Sequence, residues 1–424
     1  MNYKVRFVSA LVLLSSPFIF AQTESEQMEN TAAQETESPQ IFSFKYNKGD
    51  AYRILSKVHE DVLLNGKFNH HAEIVNRISV KVTGVDEAGN GVHEATFMTS
   101  EDSTTSDTSS HFTYGEEYKS VFSRSPQGIY TIGDEYFMPV VRDVPVFPET
   151  ALKPGDTWSA QGHEAHDLRR TFGIEKPYKV PFNAFYSYTG DEKDENGRTF
   201  SVFSVQYNLY YTSPAKKTGA EQGGLVPAMT SGYSHQTLYW DGIKGALDHY
   251  KEEFRIIITT NTGDEITFQG TATAEVTDFE QTNTDENVKK VQDTVDKLGL
   301  KDVSVKHGDK GLTISIENIQ FEPDSSELMD SEKEKLDQIA EILREYKNDL
   351  LITGHCALRG TAKERERIST ERAQSVADYL TADNVRDSYH IFTRGLGASV
   401  PVASNSTEEG RAKNRRVEIT LMDE

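Results

Sequence analysis

Cysteine is almost absent from this sequence of 424 residues, which contains only Cys356. A single cysteine excludes an internal disulfide framework, so the fold depends on packed apolar cores. Positive charge is also scarce, because 45 lysine and arginine residues stand against 67 aspartate and glutamate residues, and the net charge is −22. A chain of this charge repels phosphate backbones, which argues against nucleic acid as a partner.

Long apolar runs are missing as well. The run Phe7–Phe20 has 14 residues, fewer than the roughly 18 to 20 that a helix needs to cross a bilayer. Lys4 and Arg6 precede the run, so residues 1–21 are predicted to be a cleaved signal peptide of an exported protein. An uncleaved membrane anchor is the alternative. Residues 22–40 are polar and acidic, and they predict a disordered tether.

Residues 41–280 show the alternation of apolar and polar side chains that is typical of strands with one buried face. It is clearest in 72–82 and 203–211, and it predicts an all-β, sandwich-like N-terminal region. A division into two sub-domains near 148–154 is an alternative. Alternation is also typical of an outer-membrane β-barrel, but irregular strand spacing favours the sandwich. The acidic stretch 279–287 predicts a protease-accessible linker.

Helical and strand patterns alternate in the last third of the chain. Ser331 with Glu334, and Thr361 with Glu364, each have the spacing of a capping box and predict the start of a helix. Apolar residues then recur at helical spacing after each of these pairs. Residues 281–424 are therefore expected to fold as an α+β domain, with a mixed sheet and helices on one of its faces.

Several motifs of this region occur in a recognisable order across 313–421. They are Ile319–Phe321 with Ser325–Leu328, the loop Gly354–Gly360, the stretch Ile368–Ala373, the group Gly395, Gly397, Pro401 and Asn405, and the stretch Gly410–Glu418. Together they resemble the C-terminal domain of the OmpA family. The resemblance implies the α+β fold of that domain and a peptidoglycan-binding function, and it does not extend to residues 22–280.

The resemblance also implies roles for individual residues. In the family, a loop aspartate pairs with the ammonium group of the diamino acid in the peptide stem, such as diaminopimelate, and a helix arginine pairs with its carboxylate. Arg372 corresponds to that arginine, whereas Ala357 occupies the position of the aspartate. Arg359 and Arg365 add positive charge at two further positions, and Asp324 corresponds to a loop position that is often Asn or Asp. A zwitterionic ligand needs one anion and one planar cation, so weak binding of diaminopimelate is expected.

Other candidate sites are less specific. Arg411 and Arg415 are ligand-contact candidates by the same resemblance, with salt bridges at the edge of the core as the alternative. His163–His166 is one residue short of the H-E-x-x-H zinc motif, and His70–His71 would place two rings on opposite faces of a strand. Cys356 ends a strand and is expected to be a buried small hydrophobe. No catalytic residue, metal site or cofactor is predicted, and the protein is not expected to be an enzyme.

These patterns predict a non-catalytic cell-envelope protein. It would contact peptidoglycan through a divergent OmpA-like domain and link the wall to the outer membrane or to a periplasmic partner. One alternative is a ligand- or protein-binding β domain carried on a degenerate OmpA-like scaffold that no longer binds diaminopimelate. A second is an outer-membrane β-barrel fused to a wall-binding domain. The expected location is the periplasm, in association with the outer membrane and the cell wall.

Overall fold

The computed structural model describes residues 38–104, 112–213, 224–278, 281–321 and 326–423. The predicted signal peptide and most of the predicted tether lie outside these ranges. The chain divides into two compact units. Unit 1 comprises Met1–Thr99 and Glu117–Thr277, and unit 2 comprises Ser100–Glu116 and Asp278–Glu424. Within the described ranges, no helix is both long enough and apolar enough to cross a membrane.

The strands of the described residues, in chain order, are β1 (Ala51–Leu64), β2 (Lys67–Val85), β3 (Gly91–Thr104), β4 (Phe112–Thr113), β5 (Glu116–Arg124), β6 (Tyr130–Ile132), β7 (Val141–Arg142), β8 (Thr157–His166), β9 (Tyr178–Lys193), β10 (Thr199–Thr212), β11 (Pro227–Asp241), β12 (Ala246–Thr260), β13 (Glu265–Asp278), β14 (Val303–Gly308), β15 (Gly311–Glu317), β16 (Leu350–Gly354), β17 (Ile391–Gly395) and β18 (Arg416–Met422). The α-helices are α1 (Arg169–Phe172), α2 (Asp285–Lys297), α3 (Asp330–Arg344), α4 (Ala362–Ala382) and α5 (Glu408–Asn414).

Unit 1 is built on one continuous sheet of 12 strands, in the order β6-β5-β3-β2-β1-β13-β12-β11-β10-β9-β8-β7. Sequential strands pair as a meander on each side, and the pairing of β1 with β13 joins the two sides. The N-terminal region is therefore mostly β, as predicted, and its described strands form one continuous sheet rather than the two separate sheets expected of a sandwich. Alternation shows only that each strand has one apolar face, and it does not show which strands pair.

An aromatic cluster fills the inner face of this sheet. The Phe147 ring centroid lies 4.8 Å from that of Trp240 and 5.2 Å from that of Phe203, and Phe42 packs edge-on against Phe203 at 4.9 Å. Leu152 is buried in the same core. The segment 148–154, where a division into two sub-domains is the alternative, thus contributes Leu152 to the core shared by β1, β2 and β8–β13.

Unit 2 contains a mixed sheet of six strands, in the order β14-β15-β18-β16-β17-β4. The β16 and β17 strands run parallel, while β18 runs antiparallel to both β15 and β16. The edge strand β4 lies in the segment Ser100–Glu116, within the stretch that was predicted to belong to the N-terminal region. The Tyr114 N–H donates to the Thr393 carbonyl at 2.7 Å, and Phe112 is buried. A two-residue strand in a polar stretch has too little pattern to reveal this pairing.

The start of unit 2 is tied to its last strand. Thr282 is buried, and its N–H and hydroxyl both donate to Asp423 Oδ1, at 2.8 and 2.6 Å. Thr284 then caps α2, its side chain accepting from the Asn287 N–H at 3.2 Å. The linker prediction for 279–287 is therefore wrong from residue 282 onward. These polar side chains cap a helix and bind a carboxylate instead of remaining in water.

The helix starts of unit 2 agree with one predicted capping box and not with the other. At Thr361 and Glu364 both reciprocal hydrogen bonds are present, which confirms that box. Helix α3 begins at Asp330, and its N-cap Met329 makes no side-chain capping bond. Ser331 therefore lies inside the first turn, and the box predicted with Glu334 is wrong. The acidic side chains of that first turn favour the helix N-terminus through its dipole.

Candidate ligand-binding site

The loop that follows β16, Gly354–Gly360, is held on both sides by backbone contacts. The Cys356 N–H donates to the Gly397 carbonyl at 2.7 Å, and the Leu396 N–H donates to the Gly354 carbonyl at 3.0 Å. Gly354 also lies directly against α4, because a Cβ added there would sit 2.0 Å from the Ser369 carbonyl oxygen. The glycine of the motif therefore lets the helix approach the loop closely.

Two asparagines fix the far end of this loop. Asn405 Oδ1 accepts hydrogen bonds from the Leu358 N–H at 2.9 Å and from Asn414 Nδ2 at 3.1 Å. Asn414 is itself buried, and its Oδ1 accepts from the backbone N–H groups of Val402 and Ala403 at 2.8 and 3.0 Å. The loop is thus positioned by a polar network whose buried groups are paired, as a rigid binding surface requires.

Helix α4 supplies the arginine that the resemblance assigns to the ligand carboxylate. The Arg372 guanidinium lies over the Phe321 ring, with its Cζ 4.7 Å from the ring centroid. Its Nε is buried and has no hydrogen-bond partner among the described residues. Burial lowers the pKa of Arg372 below its ordinary value, and the positive charge of Arg415 acts in the same direction against the influence of Cys356. Arginine stays charged even so, which makes Arg372 a ready partner for an anion.

Arg365 lies two helical turns before Arg372 on the same face of α4. Its Nη1 donates to the Gly360 carbonyl at 2.5 Å, and its Nε is buried without a hydrogen-bond partner among the described residues. Arg365 therefore closes the loop and adds positive charge beside Arg372.

Cys356 contacts Arg365 and is influenced electrostatically by both arginines. Its Sγ donates to the Arg365 carbonyl oxygen at 3.5 Å. Burial raises the pKa of the Cys356 thiol above its usual value, although Arg372 and Arg365 oppose the shift. The thiol is therefore mainly protonated at neutral pH and suits a packing role better than a nucleophilic one.

The other predicted site residues differ in their exposure and in their partners. Ala357 is 8% exposed and its carbonyl accepts from the Arg359 N–H at 2.8 Å, while the Arg359 side chain is exposed. Arg411 and Arg415 both pair with Glu408, at 2.7 and 3.0 Å. Asp324 lies outside the described residues.

Glu408 and the aromatic contact of Phe321 are parts of this site that the sequence motifs did not indicate. Glu408 precedes Arg411 by three residues and Arg415 by seven, and this spacing predicts neighbours on one helical face. Glu408 partly neutralises these two arginines. Of the predicted ligand-contact arginines, this leaves Arg359, Arg365 and Arg372 without an acidic partner among the described residues.

A buried ion-pair cluster lies where the loop leaves β16. His355, Arg416 and Glu418 meet there: Arg416 Nε donates to Glu418 Oε1 at 2.8 Å, and His355 Nε2 lies 3.6 Å from Glu418 Oε2. Burial alone would raise the pKa of Glu418, but hydrogen bonds from His355, Lys306 and Arg416 hold it well below its ordinary value. Both His355 and Arg416 are buried, which suits this cluster to supporting the loop.

The histidine motif of unit 1 does not form a zinc site of the H-E-x-x-H kind. His166 Nε2 lies 2.8 Å from Glu164 Oε2, and the Tyr207 hydroxyl donates to Glu164 Oε1 at 2.9 Å. His163 lies on the other face of β8 and approaches Asp143 instead, at 3.4 Å. The motif lies on a strand, where residues three apart point to opposite faces.

Comparison with known sequences identifies the domain that carries the loop and α4. The sequence profile of the OmpA family matches residues 320–415. These residues form an OmpA family domain. All the predicted ligand-contact residues lie within the match, including Arg372 and the altered position Ala357.

Individual relatives share this domain. The probable lipoprotein YiaD of Escherichia coli (strain K12) is 40% identical over 128 residues, which are 30% of this chain and 58% of YiaD. The peptidoglycan-binding protein ArfA of Mycobacterium tuberculosis is 41% identical over 104 residues, which are 24% of this chain and 32% of ArfA. The chain therefore spans less than two thirds of either relative. The solved cell wall anchor of the T6SS from Pseudomonas aeruginosa is 32% identical, with a TM-score of 0.28, over 31% of this chain and 96% of that chain.

Proposed function

We propose that this protein is a non-catalytic component of the cell envelope that contacts peptidoglycan through its OmpA family domain. Arg372 is the observation that carries the proposal. It occupies the family position for the ligand carboxylate, and its buried Nε has no hydrogen-bond partner among the described residues. The relative named peptidoglycan-binding protein ArfA, 41% identical over 104 residues, supports the same function. The predicted export signal and the outer-membrane relatives favour a periplasmic location at the wall.

The proposed ligand is an anionic part of the peptide stem. Arg359, Arg365 and Arg372 present three cations without an acidic partner among the described residues, and Ala357 supplies no anion for an ammonium group. Guanidinium groups bind carboxylates in a bidentate manner. A stem carboxylate would therefore be bound more strongly than a free zwitterionic diamino acid.

Co-sedimentation with purified peptidoglycan sacculi tests this function. The wild-type chain should sediment with the sacculi, and Arg372→Ala should weaken this binding. Losing a hydrogen bond to a charged group costs about 1.5 to 3 kcal/mol, which corresponds to roughly a tenfold to hundredfold loss of affinity. Arg367→Ala is the matched control, because Arg367 lies on the same helix, is 61% exposed and pairs with Glu371 at 2.7 Å. Equal binding by Arg372→Ala and wild type would contradict the proposal.

The alanine at position 357 favours a second candidate function. A family domain without its central anion can persist as a scaffold, with unit 1 carrying the binding of a ligand or partner protein. The same sedimentation experiment separates the two candidates. Failure of the wild-type chain to sediment with sacculi at any concentration tested would favour the scaffold.

A further inference from the structure

Two histidines and two carboxylates lie together on the outer face of the β1–β2 hairpin. The register places His59 opposite Glu73 and Asp61 opposite His71. Residues two apart on a strand share one face, and directly opposed residues have Cβ atoms about 4.5 to 5.5 Å apart. The four side chains therefore form a compact patch, which we call the hairpin cluster. It belongs to unit 1 and contains no residue of the OmpA family domain.

Distances within the hairpin cluster approach those of a metal site. His59 Nδ1 lies 3.7 Å from Glu73 Oε1, and His71 Nδ1 lies 2.9 Å from Asp61 Oδ1. One potential ligand atom from each of His59, His71 and Glu73 lies within 4.8 Å of the others. Ligands about 2.0 to 2.2 Å from a tetrahedral zinc ion stand roughly 3.3 to 3.6 Å apart. Small rotations of these side chains are enough to reach that spacing.

The side chains also have the freedom and the chemistry that an ion requires. The exposed fraction of the side chain is 46% for His59, 45% for Asp61, 41% for His71 and 43% for Glu73. An ion can therefore enter, and water can complete its coordination. The imidazole rings of the two histidines are stacked, with centroids 6.4 Å apart and 15° between their planes. Imidazole with carboxylate suits Zn²⁺ and Cu²⁺, whereas Mg²⁺ and Ca²⁺ prefer oxygen alone.

We propose that His59, His71 and Glu73 bind a divalent transition-metal ion of the Zn²⁺ class on the surface of unit 1. Asp61 is the positioning residue, because its carboxylate accepts from His71 Nδ1 and orients the ring, as outer carboxylates do for metal-bound histidines. The two carboxylates balance the charge of a divalent ion. The antiparallel pairing of β1 and β2 fixes the spacing of the ligands before the ion binds.

Titration calorimetry of the tag-free full chain with Zn²⁺ at neutral pH tests the proposal. The wild type should bind Zn²⁺ saturably at this site. His59→Ala and His71→Ala should each weaken the affinity at least tenfold, and Glu73→Gln should weaken it as well. His70→Ala is the matched control, because His70 neighbours His71 but lies on the opposite face of β2. Its affinity should equal that of the wild type.

Electron paramagnetic resonance with Cu²⁺ gives an independent readout of the ligands. The wild-type spectrum should show nitrogen coupling, which His71→Ala reduces and His70→Ala leaves unchanged. Substitutions at exposed positions usually change the free energy of unfolding little. Circular dichroism checks that each variant is folded. If His71→Ala nevertheless unfolds, the Zn²⁺ affinity of Glu73→Gln decides whether the hairpin cluster is the site, because this variant keeps the shape of the side chain. No saturable Zn²⁺ binding by the wild type, or equal losses in His70→Ala and His71→Ala, would overturn the proposal.

Discussion

The substitution Ala357→Asp would restore a carboxylate to the loop after β16. In the OmpA family, a carboxylate at this position pairs with the ammonium group of the ligand. Ala357 is 8% exposed, and it follows Cys356, whose thiol is influenced by both Arg372 and Arg365. A new carboxylate at this point would therefore lie in a region of positive charge. Nearby cations stabilise the charged form of a carboxylate and offset the cost of its partial burial.

The expected gain follows from the bond that the new side chain would form. A hydrogen bond to a charged group contributes about 1.5 to 3 kcal/mol, and each 1.4 kcal/mol corresponds to about a tenfold change in affinity. The substitution Ala357→Asp should therefore strengthen binding of diaminopimelate by roughly tenfold to a hundredfold. The wild type should bind this ligand weakly, because Arg372 can pair with a carboxylate while the ammonium group finds no anion.

Isothermal titration calorimetry with diaminopimelate measures these affinities directly. Ala357→Asn is the matched control, because it has nearly the same shape as aspartate without the charge, and it should give a much smaller gain. The double variant Ala357→Asp with Arg372→Ala should lose most of the improvement. The reasoning fails if Ala357→Asp leaves the affinity unchanged, or if Ala357→Asn improves it equally.

Two further predictions concern stability. Burial, aided by Arg124, lowers the pKa of His93 from 6.5 to about 4. The folded chain therefore favours neutral His93, and its contribution is complete above about pH 6.5 and is lost as the pH falls toward 4. Because one pKa unit is worth 1.36 kcal/mol, the loss reaches at most about 3 kcal/mol. His93→Gln should flatten that part of a plot of melting temperature against pH, and an unchanged slope would contradict the assignment. In unit 2, a Cβ at Gly410 would lie 2.0 Å from the Ser404 carbonyl oxygen, so Gly410→Ala should destabilise the domain by about 1 to 3 kcal/mol in urea unfolding. A variant as stable as the wild type would show that this contact relaxes freely.

Local chemistry of the chain was enough to predict much of the OmpA family domain. The capping box at Thr361 and Glu364, the buried strand that became β16 and the helix of Arg372 all depend on residues close in sequence. The alternation in 203–211 likewise predicted β10, in which Phe203, Val205 and Tyr207 are buried. Side-chain period and helix capping act over a few residues, so a sequence reveals them without knowledge of the fold.

Tertiary structure alone decided the features that join distant residues. The pairing of β1 with β13 makes one sheet where a sandwich was expected, and β4 extends the sheet of unit 2 from a segment far away in sequence. The contact of Arg372 with Phe321 and the pairing of His59 with Glu73 likewise depend on which strands and helices meet and in what register. Many pairings satisfy the same alternation, and the choice among them is made by packing across the whole core.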